Sequence, residues 1–361
     1  MIKPRVWLEI DLEAIAFNFR QVKQHVSPLK VMAVLKANAY GLGVERISET
    51  LVKSGVDAIG VAELTEALAV KSLGVPTYIL GAILPEEMEV AIQHDIVVPV
   101  TDVQTAKLLS KTAERLGKKA KVSVLLDTGM GRLGIDADFT VEINKITAQD
   151  HLEFMGVYSH FPVAYSDQGF SNSQIDTFKE VISGLTCPNL DFHIANSDGI
   201  NNVSASISAP FTMVRTGINL YGVHDLCGEN LFNLKETITL KSRLVSSRLL
   251  KAGSSVGYGR SCVLKKDTQV GTVAAGYADG VPLAASNRGV VMVNGNPCPI
   301  IGKVSMDYIT IDLSDAKNHE VGSNVILLGD GITVKDWAIL ADTIPYQVIC
   351  SFGNRVKRVY I

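Results

Sequence analysis

Short apolar or β-branched runs recur through the first two-thirds of the chain, at residues 31–36, 58–62, 77–81, 96–100, 121–127, 154–160, 191–196 and 211–217. Most are separated by helix-like stretches, such as 63–73, where Glu63, Glu66 and Lys71 stand among alanines and leucines, 102–117 and 171–185. Parallel strands need long crossovers, which helices supply, and eight of them close into a barrel filled by side chains. The pattern predicts an α/β fold of the (β/α)8, TIM-type barrel class. An open doubly wound sheet competes with this reading, but the count is eight and no G-x-G-x-x-G follows the first run.

Beyond about residue 232 the strands become closely spaced and turn signals multiply. Val290-Val291-Met292-Val293-Asn294-Gly295-Asn296 carries the Asn-Gly pair that favours a tight hairpin, and residues 334–341 read as one interrupting helix. With 361 residues there is room for two domains, expected at 1–232 (barrel) and 233–361 (mainly β).

Charge and cysteine usage narrow the function classes. The net charge of −3, with acids and bases interspersed, offers no basic stripe for nucleic acid and no membrane-surface cluster. No apolar run approaches the ~18 residues that would span a bilayer, and Met1-Ile2-Lys3-Pro4-Arg5 opens no signal-type segment, so a soluble, cytoplasmic protein is expected. The five cysteines, Cys187, Cys227, Cys262, Cys298 and Cys350, are scattered without a CxxC spacing, which suggests reduced packing residues and no metal site.

Barrel enzymes carry their chemistry at the carboxyl ends of the strands. The first run ends at Lys36, in Lys36-Ala37-Asn38-Ala39-Tyr40-Gly41-Leu42-Gly43; the fifth leads through Asp127-Thr128-Gly129-Met130-Gly131 to Arg132; the sixth ends at Ser159-His160, the seventh at Asn196-Ser197 and the eighth at Arg215-Thr216-Gly217. A lysine held against a dry barrel end loses hydration, its pKa falls from ~10.4, and the neutral amine can form an imine with an aldehyde. A snorkelling surface lysine is the plain alternative. The loops after the last two strands are the usual phosphate cradle of such barrels, here with the Ser197 hydroxyl and the backbone of Gly217-Ile218. Together these features ask for a phosphorylated aldehyde, and pyridoxal 5′-phosphate fits.

The lysine segment, Asp127-Thr128-Gly129-Met130-Gly131-Arg132-Leu133-Gly134, Val214–Gly222, Val256-Gly257-Tyr258-Gly259-Arg260, Ala275–Gly280 and Gly302–Asp307 resemble, in order, the motifs of the alanine racemase family. The resemblance runs from Trp7 to Tyr360. It implies an isomerase that interconverts L- and D-alanine, with Lys36 carrying the cofactor and acting as base on one face of Cα and Tyr258 as base on the other. It also implies that Arg215 faces the pyridine nitrogen and that His160 links Arg215 to the tyrosine. Tyr40, Asn196, Ser197, Gly217, Ile218 and Tyr346 lie around the cofactor, the Met306 N–H and Arg132 receive the substrate carboxylate, and Asp307 and Tyr277 line the way in. A homodimer with shared active sites, supplying D-alanine for peptidoglycan of the cell wall, completes the implication.

One position departs from the family pattern. Seven residues before the arginine of Asp-Thr-Gly-Met-Gly-Arg the family commonly has a lysine, often carbamylated, that holds the guanidinium; here it is Leu125. Asp127, of the same strand parity, is a candidate substitute. A broader racemase that also takes serine is the nearest rival function, since a small apolar pocket excludes an added hydroxyl poorly. A barrel-type decarboxylase shares the cofactor and the two-domain plan but is opposed by the Tyr258 and Arg215 matches. A non-enzymatic cofactor-binding barrel would lack the second domain.

Overall fold

A computed structural model describes residues 4–185, 189–228 and 231–361; Cys187 lies outside the described residues. The chain divides into two compact units, Ile15–Lys235 and, secondly, the N-terminal segment through Ala14 together with Glu236–Ile361.

After β1 (Trp7–Ile10), the strands of the first unit are β2 (Lys30–Val34), β3 (Ala58–Val61), β4 (Thr77–Ile79), β5 (Val98–Val100), β6 (Ala120–Leu125), β7 (Leu152–Tyr158), β8 (Asp191–His193) and β9 (Met213–Thr216). Each overlaps one of the eight apolar runs. They pair in parallel as β4-β3-β2-β9 and β5-β6-β7-β8. The two sheets meet through the parallel bridge Tyr78↔Val97 and through backbone bonds from Thr212 N–H to Phe192 C=O and from Arg215 N–H to Ala195 C=O, both 3.0 Å. The expected barrel is thereby closed and leaves no unpaired edge.

Helix ends follow local chemistry. In Val103–Leu116 the Asp102 carboxylate accepts the Thr105 N–H at 2.7 Å, and left-handed Gly117 stops the helix. Leu64–Val70 continues as a 3₁₀ turn over Lys71–Leu73, and Gln168–Ser183 starts at Asp167, which accepts the Phe170 N–H. Inside the barrel, Met32, Ala58, Tyr78, Val97 and Met213 pack with Leu80 and Met155. Strand alternation puts Asp191 and His193 on one buried face of β8, where Asp191 accepts hydrogen bonds from the Lys30 ammonium (2.7 Å) and the Tyr78 hydroxyl (3.0 Å).

In the second unit β1 lies between β10 (Ile238–Leu250), its antiparallel neighbour, and the parallel strand Lys357–Tyr360. The first strand of the chain therefore belongs to the β unit although it precedes the barrel in sequence. Asn294 and Gly295, both at positive φ (49° and 75°), turn Val290–Val293 into Asn296–Pro299, the geometry an Asn-Gly hairpin requires. The helix Val334–Leu340 opens on a capping box in which the Asp336 N–H donates to Thr333 Oγ1 and the Thr333 N–H to the Asp336 carboxylate. Among the described residues Cys227, Cys262 and Cys298 are unpaired, and no helix is long and apolar enough to cross a membrane.

Candidate active site

Lys36 stands one residue, Leu35, beyond β2 and is exposed at the strand end, so the dry surroundings expected from sequence are not supplied around it by the barrel. The four residues after it, Ala37, Asn38, Ala39 and Tyr40, all have positive φ, 53° to 59°. Left-handed backbone costs about 1–2 kcal/mol per non-glycine residue, so the turn persists only because its surroundings fix it. Gly41 donates to Ala37 C=O at 2.7 Å, Ala39 to Leu35 C=O at 2.8 Å, and Val44 N–H to Asn38 Oδ1 at 2.8 Å. From the neighbouring helix, Glu66 accepts the Ala37 and Asn38 N–H groups and, at 2.8 Å, that of Ala62.

The turn aims Tyr40 at the loops after β8 and β9. Tyr40 is buried, its ring 5.1 Å from that of Tyr221, and a Cβ on Gly217 would overlap its hydroxyl. Glycine is needed here for close approach, not for φ. Ser197 Oγ accepts the Gly217 N–H at 2.9 Å. That N–H is thus committed within the protein, which corrects the expectation that it faces a phosphate; the Ser197 hydroxyl proton is what remains to donate. Ile218 opens a short 3₁₀ turn (Ile218–Tyr221), and Asn196 caps the helix Ser197–Asn202 through the Gly199 N–H at 2.8 Å.

Arg215, on β9, is buried and both of its terminal nitrogens are engaged. One terminal nitrogen bonds His193 Nδ1 (2.6 Å) and His193 C=O (3.2 Å); the other bonds Ser159 C=O (2.7 Å), Ile194 C=O (3.1 Å) and His160 Nδ1 (3.1 Å). Burial lowers its pKa to about 10, so it stays cationic at neutral pH. A guanidinium only donates, so Nδ1 of both imidazoles is an acceptor and their protons reside on Nε2. Both are held neutral. Burial, then the charges of Arg215, Arg132 and Lys36, lowers the His160 pKa to about 3, and burial followed by Arg215 takes that of His193 far down. Arg215 thus touches this imidazole and the charges of Arg132 and Lys36 reach it, a cationic rim suited to an anionic ligand.

Asp127 Oδ1 accepts the N–H groups of Gly129, Met130 and Gly131, and Oδ2 that of Arg132 at 3.1 Å. These bonds hold its pKa down despite burial. Asp127 thus shapes the loop and does not take the place suggested for it at the Arg132 guanidinium, which has no hydrogen bond or ion pair among the described residues. Leu125 is buried beneath that loop, its Cγ 3.0 Å from where a Gly134 Cβ would stand.

In the β unit, Tyr258 sits between Gly257 and Gly259, both at positive φ, and is 72 % exposed. Arg355 braces a neighbouring group of loops: it bonds the buried Asp279 (2.7 and 2.9 Å), Asp307 (2.7 Å) and Met306 C=O (3.3 Å). Tyr277 N–H donates to Ser305 C=O and Ala278 N–H to Met306 C=O, so Tyr277, Met306 and Asp307 are brought together. Tyr346, on Pro345–Cys350, is half-buried.

Sequence reasoning missed His193, Glu66 and Arg355 as parts of the site. For His193 the alternation with Asp191 is a readable signal; Glu66 and Arg355 act through long-range contacts that no local pattern announces.

The chain matches the family model of the alanine racemase N-terminal domain over residues 10–225 and that of the C-terminal domain over 237–360. It is 36% identical to an alanine racemase of Halothermothrix orenii over 366 residues, 98% of this chain and 96% of the relative. Among solved structures it is similar to an alanine racemase from Bartonella henselae with covalently bound pyridoxal phosphate (TM-score 0.90, 32% identity, 99% of this chain and 100% of that one). It is also similar to one from Clostridium difficile 630 in complex with cycloserine (TM-score 0.90, 28% identity, 100% and 96%). With both family domains matched along nearly its whole length, the chain belongs to the alanine racemase family.

Proposed function

We propose that this protein is a pyridoxal-phosphate-dependent alanine racemase, and the observation that carries the proposal is the barrel rim, where the strand ends bring Lys36, His160 and Arg215 to one end of the barrel and Arg215 bonds His160 Nδ1 at 3.1 Å. The residues present fit the cofactor: Lys36 offers an amine for the covalent link, Tyr40 and Ser197 offer hydroxyls beside a glycine that admits a close ligand, and Arg215, its terminal nitrogens held by the protein, offers its Nε–H. When bound, the cofactor withdraws electrons from Cα and makes its proton acidic. Arg215, its terminal nitrogens locked in five hydrogen bonds and its guanidinium protonated at neutral pH, would have its Nε–H left to donate to the pyridine nitrogen without surrendering a proton, which would limit that withdrawal and suppress protonation at the wrong carbon.

Lys36 and Tyr258 exchange the α-proton on opposite faces, so the substrate is racemised without turning over in the site. His160, with Nδ1 filled by Arg215, keeps an Nε2–H that could stabilise an ionised phenolic oxygen brought to it. Arg132 and the Met306 N–H hold the substrate carboxylate, Tyr277 and Asp307 line the approach, and Tyr346 joins Tyr40, Ser197 and Ile218 at the phosphate, with Asn196 fixing that loop.

The exposure of Tyr258, Met306 and Tyr277 supports a homodimer in which each β unit completes the partner's site. Mixing inactive Lys36→Ala and Tyr258→Ala chains tests this: regained activity is expected, and a fully active monomer by light scattering refutes it. The unpaired Cys227, Cys262 and Cys298 accord with a reducing cytoplasm, where D-alanine would feed cell-wall precursors. Assaying the purified protein against a panel of L-amino acids by chiral chromatography tests the function. Alanine should racemise fastest, with serine as the nearest competitor; carbon dioxide release without racemisation would refute the reading.

A further inference from the structure

The left-handed turn Ala37–Tyr40 joins two groups that must meet one ligand, the Lys36 amine at its start and the Tyr40 hydroxyl at its end. One side chain from outside its own loop accepts two of its backbone N–H groups. Glu66, half-buried on the helix Leu64–Val70, lies between the end of β3 and the turn: Oε2 accepts the Ala62 N–H at 2.8 Å, while Oε1 accepts the Ala37 N–H and, at 3.4 Å, the Asn38 N–H. Everything presented to this carboxylate is a donor. An ionised carboxylate only accepts, so it satisfies all three N–H groups, whereas an amide of the same shape would turn its own N–H₂ against one set of them.

We propose that Glu66 is a positioning residue whose carboxylate holds the Ala37–Tyr40 turn against β3, so that the Lys36 amine and the Tyr40 hydroxyl are presented together to pyridoxal phosphate. This rests on the racemase reading given above. Two consequences follow from the connectivity. Loosening the turn weakens the hold on the cofactor at both ends, and it slows proton exchange by Lys36 while leaving that of Tyr258, on another unit of the fold, intact.

The test compares wild type, Glu66→Gln and Glu66→Ala. Cofactor-free protein is titrated with pyridoxal phosphate by its visible absorbance, and the holoenzymes are assayed with α-deuterated D- and L-alanine. We expect the cofactor Kd to rise at least tenfold in both variants, Glu66→Gln included despite its equal size. The deuterium effect on kcat/KM should rise for D-alanine, whose proton Lys36 removes, and fall for L-alanine, whose proton Tyr258 removes. A general loss of stability would lower rates without moving the two isotope effects in opposite directions. If Glu66→Ala does not accumulate folded, Glu66→Gln decides alone. Wild-type Kd and isotope effects in Glu66→Gln, with wild type racemising normally, would overturn the role of Glu66 only; failure of wild type to racemise alanine would overturn the functional reading along with it.

Discussion

Gly217→Ala tests the phosphate cradle through one added methyl. Gly217 has φ −126° and ψ −82°, so the effect is one of space and not of a left-handed backbone. The new Cβ would overlap the Tyr40 hydroxyl oxygen and lie 3.3 Å from Cζ, with Val34 Cβ 3.6 Å away. Restoring an ordinary contact of about 3.5 Å requires the hydroxyl to move by roughly 1 Å. Tyr40 cannot swing freely, being buried against Tyr221 on the left-handed turn. Overpacking of this kind costs about 1–3 kcal/mol of stability. A displaced hydroxyl also forfeits a hydrogen bond to a charged phosphate, about 1.5–3 kcal/mol, which corresponds to roughly a ten- to hundredfold weaker cofactor Kd. The assay is a double-mutant cycle with Tyr40→Phe, read by urea unfolding and by cofactor titration. Removing the hydroxyl removes the clash, so Gly217→Ala should cost clearly less in the Tyr40→Phe background, with a coupling of about 1 kcal/mol or more. Equal costs in both backgrounds would show that the close approach of Tyr40 to Gly217 is not what demands glycine.

Three further outcomes are expected. Lys36→Ala should abolish the visible band of the covalently held cofactor, and a borohydride-reduced peptide mapping to another lysine would reassign the attachment. Because Leu125 cannot form a carbamate, racemisation should be unaffected by exhaustive removal of carbon dioxide, while Leu125→Lys should become bicarbonate-sensitive; a wild-type loss reversed by bicarbonate would contradict this. The neutral histidines make the fold acid-sensitive: with an unfolded pKa of about 6.5 and a folded value of about 3 for His160, the unfolded chain binds the extra proton as pH falls between them. Stability from this group is fully present above the unfolded value and declines below it by up to about 1.4 kcal/mol per pH unit, partly offset by Asp198, whose pKa burial and then Asp225 raise to about 6. His160→Asn should flatten the dependence of the urea midpoint on pH in that window, and an unchanged slope would refute the assignment.

What was legible in the sequence was local. Eight apolar runs gave the barrel strands because strands buried on both faces must be continuously apolar, and Asn294-Gly295 gave the hairpin because its positive φ values suit those residues. Trp7–Ile10 could not be assigned to the β unit in this way, since its partners stand at 238–241 and 357–360. The strand-end rule found Lys36, Arg132, His160 and Arg215, but not that His193 backs Arg215 from inside the barrel. Parity suggested Asp127 as a partner for the Arg132 side chain; four backbone N–H groups of its own loop claim that carboxylate instead. Which hydrogen bond a short acid makes is decided by loop curvature, which composition does not reveal.

The central claim is that Lys36 and Tyr258 divide the α-proton between two faces, and α-proton exchange in deuterium oxide with the Tyr258→Ala holoenzyme tests it most directly. The account predicts continued exchange from D-alanine, through Lys36, with exchange from L-alanine lost; equal exchange from both enantiomers would contradict it.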